Sequence, residues 1–158
     1  MDVLIKKVKV LPRQKKIKID YEKAGDKFSG TYSEPAEPEF YQSFQKLILP
    51  VCEICELDLE TFSDRIVPYG VTFAYVGTHD TMKASIQCKM HMPLSNTDTV
   101  LNTPSRTVST EFEDGLDADT CRIIEKLEQE TRKYLNGQRA QQSLFEQDVT
   151  PRMTAIEG

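Results

Sequence analysis

The chain has no tryptophan, only two histidines and four cysteines among 158 residues, and each shortage removes chemistry. Four cysteines without a regular framework do not make a disulfide scaffold, so a reduced, intracellular setting is expected. No apolar run approaches the ~20 residues that a bilayer-crossing helix needs. The opening MDVLIKKVKV is too short and too charged within its apolar stretch to act as a secretory signal. G-x-S-x-G, H-E-x-x-H, P-loop and dinucleotide fingerprints are all missing, as are internal repeats and low-complexity tracts. These absences favour a non-catalytic protein, with no cofactor and no metal. Hydrophobic residues make up 39% and charged residues 28%, which supports one domain with a modest core.

What is present is charge, and it is segregated. Net charge is -5. Residues 1–30 hold nine basic and four acidic groups, whereas residues 31–65 hold two basic and eight acidic. Residues 111–158 hold six basic and eleven acidic. The lysines of the first hairpin, Lys6, Lys7, Lys9, Lys15, Lys16 and Lys18, are placed to touch phosphate, with Lys7, Lys9, Lys16 and Lys18 the candidate nucleic-acid contacts. The competing reading is a lysine-rich sheet edge that discourages aggregation. The acidic stretches are either a solvated face or a surface offered to a basic partner.

Hydrophobic periodicity gives the fold class. Residues 3–10 are apolar and β-branched. In 15–22, Ile17, Ile19 and Tyr21 alternate with charged residues, and Phe28, Gly30 and Tyr32 continue the alternation. A three-stranded meander is expected. Pro38 then opens a helix whose stripe is Phe40, Phe44, Leu47, Val51 and Cys55, with Pro50 kinking it or starting a second one. After an acidic connector at 57–65, residues 71–76 and 82–92 form a hairpin. Its second strand sets Met82, Ala84, Ile86, Cys88, Met90 and Met92 against Lys83, Ser85, Gln87, Lys89 and His91. Residues 93–116 have no sustained period and read as a long loop or as one hiding a short strand at Thr107–Phe112. A helix over 118–136 follows, capped by Asp117 or Asp119, with Ile124, Leu127, Thr131 and Leu135 inward and Asn136-Gly137 as its stop. The order β-β-β-α-β-β-α predicts an α+β fold: an antiparallel sheet of about five strands with two helices on one face, over residues 1–137. Residues 138–158 form a polar tail with a short apolar anchor.

Three other groups invite chemistry. Cys52-Glu53-Ile54-Cys55 has redox spacing but follows Pro50 within a helix rather than opening one. A zinc site would need two more ligands from Cys88, Cys121, His79 and His91, so buried structural thiols are the simpler reading. Glu111, Glu113, Asp114, Asp117 and Asp119 lack the glycine and ligand positions of a calcium loop and read as a solvated loop plus helix cap. His79 and His91 read as surface residues.

The tail contains Gln141-Gln142-Ser143-Leu144-Phe145. This resembles the pentapeptide, glutamine-x-serine/aspartate-leucine-phenylalanine, by which bacterial replication and repair proteins hold the DNA sliding clamp. The resemblance implies Gln141 at the rim of an apolar pocket, Ser143 at the small polar position, and Leu144 and Phe145 in the pocket. Gln142 stands where leucine is common. Independently of the resemblance, two adjacent large apolar residues on a polar tail are an anchor for a groove, at an expected affinity near micromolar. Alternatively they pack back onto their own domain. Over the whole chain, VLIKKVKV, VCEICEL, VPYGVTFAYVG, LNTP and YLNGQRAQQSLF resemble small phage and mobile-element proteins of Gram-positive bacteria, a class without assigned chemistry. That context implies either an accessory protein of DNA replication or recombination, tethered to the clamp, or an inhibitor of a host-defence system. Such an inhibitor would block a nuclease effector with its acidic surface or sequester a nucleotide signal.

Overall fold

Seven strands and four helices follow in blocks along the chain in a computed structural model that describes residues 3–11, 13–77 and 81–140. Strands β1 (Val3–Leu11), β2 (Lys16–Lys23) and β3 (Asp26–Tyr32) precede helices α1 (Pro38–Gln45), α2 (Ile48–Ile54) and α3 (Leu59–Phe62). Strands β4 (Ile66–Val76), β5 (Thr81–Met92), β6 (Thr97–Asn102) and β7 (Arg106–Thr107) follow, and α4 (Ala118–Leu135) closes the domain. All ladders between the strands are antiparallel, in the order β3-β2-β1-β4-β5-β6, with β7 beside the other half of β5. The class is α+β as expected, but with seven strands instead of about five and four helices instead of two.

The first three strands do form a meander, and β1 leaves it to pair with β4 in mid-sheet. Residues alternate between faces with a period of two. Two insertions reset that period. In β1 the ladder shifts between Ile5 and Lys7, so Ile5 and Val8, three apart, are both fully buried. In β4 it shifts between Pro68 and Gly70, so Pro68 and Val71 are both buried. A bulge also tolerates Pro68, which has no N–H for a ladder. For this reason β4 starts at Ile66, earlier than the alternation from Val71 alone predicts.

The helices follow from proline and from the apolar stripe. Pro38 sits in the first turn of α1, where no N–H is needed. Phe40, Phe44, Leu47 and Val51 are buried in one row. The break falls at Lys46–Leu47, four residues before Pro50, because the proline ring clashes with that carbonyl and supplies no hydrogen bond to it. Pro50 itself lies in the first turn of α2. In the expected acidic connector, Asp58 caps the short α3 by accepting from the Thr61 N–H at 3.0 Å. The 93–116 segment is not a plain loop. Asn96, at φ 53°, makes the turn that returns the chain as β6. Thr103 then extends the ladder by accepting from the Ile86 N–H at 2.8 Å through its hydroxyl. The strand expected at Thr107–Phe112 is instead the two-residue β7.

Helix α4 buries Ile124, Leu127 and Thr131 as expected, and also Tyr134. Tyr134 stacks near Phe40 of α1 (6.4 Å between centroids) and meets Tyr32 of β3 edge-on at 5.7 Å. Its hydroxyl donates to the Glu34 carbonyl. Beyond the helix, Arg139 lies 4.1 Å over the Tyr134 ring, pairs with Glu34, and is followed by Ala140, whose N–H donates to the Pro35 carbonyl at 3.1 Å. Asp117 is the N-cap, though its side chain makes no capping bond.

One carboxylate belongs to the interior. Glu130 is 3% exposed and meets Lys126 at 3.0 Å and Lys133 at 3.1 Å, while Lys133 also reaches Glu37 ahead of α1 at 3.4 Å. Burial alone raises the Glu130 pKa, but the hydrogen bonds and charges of the two lysines outweigh it and leave the pKa below its ordinary value. A lowered carboxylate pKa adds stability above the unfolded-state value, and this is lost as pH falls through the folded-state value. Glu130→Gln should therefore cost about 1 kcal/mol at pH 7 and much less at pH 3. Urea titrations at the two pH values check this; an equal loss at both would show that charge is not involved.

Candidate nucleic-acid interface

Among the described residues, the helices cover one face of the sheet and no layer lies over the other. Cys52 and Cys55 of α2 and Cys88 of β5 lie close together on the covered face, as do Tyr75 of β4 and the α4 residues Glu128 and Arg132. The register defines the open face. One row across it is Thr31, Lys18, Lys9, Gly70, Gln87 and Asn102; the next is Ser29, Asp20, Lys7, Thr72 and Ser85. Lys16 precedes Lys18 by two residues on the same face of β2. Lys89 follows Gln87 in the same way on β5 and stands opposite Val67 and Val100.

The structure thus brings together Lys7, Lys9, Lys16 and Lys18, the four candidate contacts. It also removes the edge-guard reading for Lys7 and Lys9, since β1 lies between β2 and β4 in mid-sheet. Lys9 and Lys18 are directly opposed across the ladder, an arrangement that destabilises a sheet. Burial, and then the charges of Lys7 and Lys18, push the Lys9 pKa down. By contrast Lys6, at the β1 bulge, is paired with Glu22 at 3.6 Å.

Sequence periodicity put Gln87 on the polar face of β5 but missed the aromatic component of this face. Tyr69 is the inserted residue of the β4 bulge, and its ring lies beneath the Lys9 ammonium, 6.0 Å from ammonium to centroid. Bulges re-aim side chains in this way, and no alternation starting at Val71 reveals it. Gly70 provides the floor: a Cβ there would come within 2.6 Å of Gln87 Oε1 and 3.0 Å of Lys9 Cγ. Gln87 Oε1 is buried over this glycine with no hydrogen-bond partner, an uncompensated cost. Beyond Lys89 the face deepens into a cavity of about 670 Å³ between the β1–β2 turn and the β5–β6 hairpin, lined by Arg13, Lys89, His91, Asp98 and Val100 among others. There His91 Nδ1 and Asp98 are 2.8 Å apart.

Asp20 stands opposite Lys7 on this face and Asp98 lines the cavity, but other acidic groups lie elsewhere. Glu39, Glu53, Glu56, Asp58 and Glu60 are exposed on or beside α1–α3, in the layer that covers the opposite face. The other candidate groups are structural. Cys52, Cys55, Cys88 and Cys121 are free thiols, and burial raises the pKa of each, that of Cys88 to about 12. Cys55 also ends α2 rather than beginning it, so a redox role has neither the dipole nor the thiolate it needs. Among the described residues no group of three His, Cys, Asp or Glu side chains is placed to hold a metal ion. Asp114 accepts from the Thr107 hydroxyl at 2.7 Å and from Lys83 at 3.1 Å, which lowers its pKa and ties down the loop. Asp119 pairs with Arg122. His79 and the tail residues Gln141, Ser143, Leu144 and Phe145 lie outside the described residues. No helix among the described residues is long and apolar enough to cross a membrane. Compared with protein-family models, curated proteins and solved structures, the chain has no match.

A lysine whose pKa is lowered on folding carries a charge that costs stability while it is protonated, and the cost fades as pH rises through the folded-state value. Lys9→Gln should raise Tm by about 1–2 °C at neutral pH, with the gain shrinking as pH enters the lysine range. A fall in Tm would show that the ammonium supports the fold instead.

Proposed function

We propose that this chain is a non-catalytic accessory protein of phage or mobile-element DNA replication or recombination. Its open sheet face holds the backbone of single-stranded nucleic acid, and its tail docks on the host sliding clamp. The observation that carries the first part is the grouping of Lys7, Lys9, Lys16 and Lys18 on one face, with Tyr69 beneath Lys9, where no helix among the described residues lies. Lysines that track phosphates, together with a ring on which a base can stack, are the two components of sequence-tolerant single-strand binding. The clamp tether rests on the resemblance of Gln141, Ser143, Leu144 and Phe145 to the clamp-binding pentapeptide. Linking a weak docking peptide to a weak binding face raises the local concentration of each without a large interface.

Anisotropy with a labelled single-stranded oligonucleotide tests the face. The wild type should bind, and Lys7→Gln/Lys9→Gln/Lys18→Gln should lose at least ~10-fold in affinity while its log–log salt slope flattens by about 2, as three lost phosphate contacts require. An unchanged slope would remove the face from the binding site. For the tether, Leu144→Ala/Phe145→Ala should abolish capture by the purified clamp; equal capture of variant and wild type would remove it.

The cavity beside residues 96–100 favours a second reading, a host-defence inhibitor that sequesters a small nucleotide signal. Its volume suits a ligand of that size. Calorimetry with free nucleotides separates the two.

A further inference from the structure

Resting on the reading of the open face as a single-strand site, we propose that the cavity at its end receives the terminal phosphomonoester of the bound strand. The cavity, about 670 Å³, lies where the face runs out, bounded by Arg13 of the β1–β2 turn and by the β5–β6 hairpin with its Asn96 turn. It is continuous with the lysine cluster: Lys89, in its wall, is the next residue after Gln87 on the open face of β5, and two residues along a strand is only about 7 Å. Gln87 itself stands beside Gly70 and, through it, Lys9.

The charges in the lining suit a doubly ionised end better than a singly charged internal phosphodiester. Among the described residues Arg13 and Lys89 pair with no carboxylate, so two cations are uncommitted. The cavity lining also holds one carboxylate, Asp98, 2.8 Å from His91 Nδ1, and the two cations outnumber it. Arginine matches the oxygens of a phosphate in a two-pronged manner, and an ammonium adds a point charge. Val100, 57% exposed opposite Lys89, gives the last sugar or base an apolar rest. The hairpin at the far side argues for a strand that ends here rather than passing through.

The test compares three versions of one labelled 12-mer, carrying a 5′-phosphate, a 3′-phosphate or hydroxyls at both ends, on the full-length protein and on Arg13→Gln/Lys89→Gln. One phosphorylated form should bind the wild type about tenfold tighter than the hydroxyl form. The double variant should lose that preference while still binding the hydroxyl form through Lys7, Lys9 and Lys18. Single variants and thermal melts guard against a folding defect, since each residue is at the surface. Equal binding of all three forms by the wild type would overturn the assignment and leave the open-face reading intact. No binding of any form would instead fail the open-face reading. A free nucleoside monophosphate that binds as tightly as the phosphorylated strand would overturn the strand-end assignment and support the sequestration reading.

Discussion

A wide antiparallel sheet can carry helices on one face only if every strand keeps its apolar residues on that face. In this protein the two strands at the centre of the sheet do not meet that demand by simple alternation. Ile5 and Val8 in β1, and Pro68 and Val71 in β4, are separated by odd intervals, yet all four are buried. One inserted residue in each strand restores the register. Without the insertions, half of each central strand would turn its apolar set into solvent. The insertions also create the open face as it stands: the one in β4 turns Tyr69 toward Lys9, and the one in β1 leaves Lys7 and Lys9 beside β4 and the polar row of β5. The same geometric correction thus closes the core and builds the site.

The electrostatic arrangement follows from this sidedness. The sheet divides the charges along the sequence by face, with lysines on the open side and the carboxylates of the α1–α3 region in the helical layer. Where opposite charges meet, as in Glu130 with Lys126 and Lys133, they brace α4, and Lys133 also reaches Glu37 at the start of α1. On the open face Lys7 does stand opposite Asp20, but in the next row Lys9 stands opposite Lys18, and an amide oxygen is left unpaired. Core packing has no use for either feature, and both lower stability. A folded domain has little stability to spare, and in the proposed reading a bound phosphate backbone offsets the first of these costs, the opposed ammonium charges.

Much of the architecture is legible in the chain because it is local. The meander, the alternation of β5, the helix opened by Pro38 and the α4 stripe each depend on residues a few positions apart. The features missed are those that depend on partners far along the sequence. Pro68-Tyr69-Gly70 breaks the alternation that starts at Val71, and its bulge shows only when β5 is laid beside it. Thr97–Asn102 is too polar to show as a strand and is held by its ladder to β5 and by the αL turn at Asn96. Tyr134 sits next to the predicted stripe residue Leu135, but its burial depends on Phe40, Tyr32 and the Glu34 carbonyl, which the fold alone brings near. The lysines were visible as a group but not as a surface, because nothing in the sequence shows that β1 is a central strand.

That difference decides what the lysines mean. On an edge strand, lysine protects unpaired backbone from other chains, and its spacing along the strand matters little. In mid-sheet no backbone is left to protect, and an aspartate or threonine opposite Lys18 would serve the fold better than Lys9 does. The side chains there also have nowhere to spread, because Gln87 and Gly70 occupy one flank and Lys18 the other. The Lys9 ammonium, partly dehydrated above a tyrosine ring, is repelled by Lys7 and Lys18. In the proposed reading a line of phosphates relieves that repulsion and releases counterions as it arrives, so the face is least comfortable when empty.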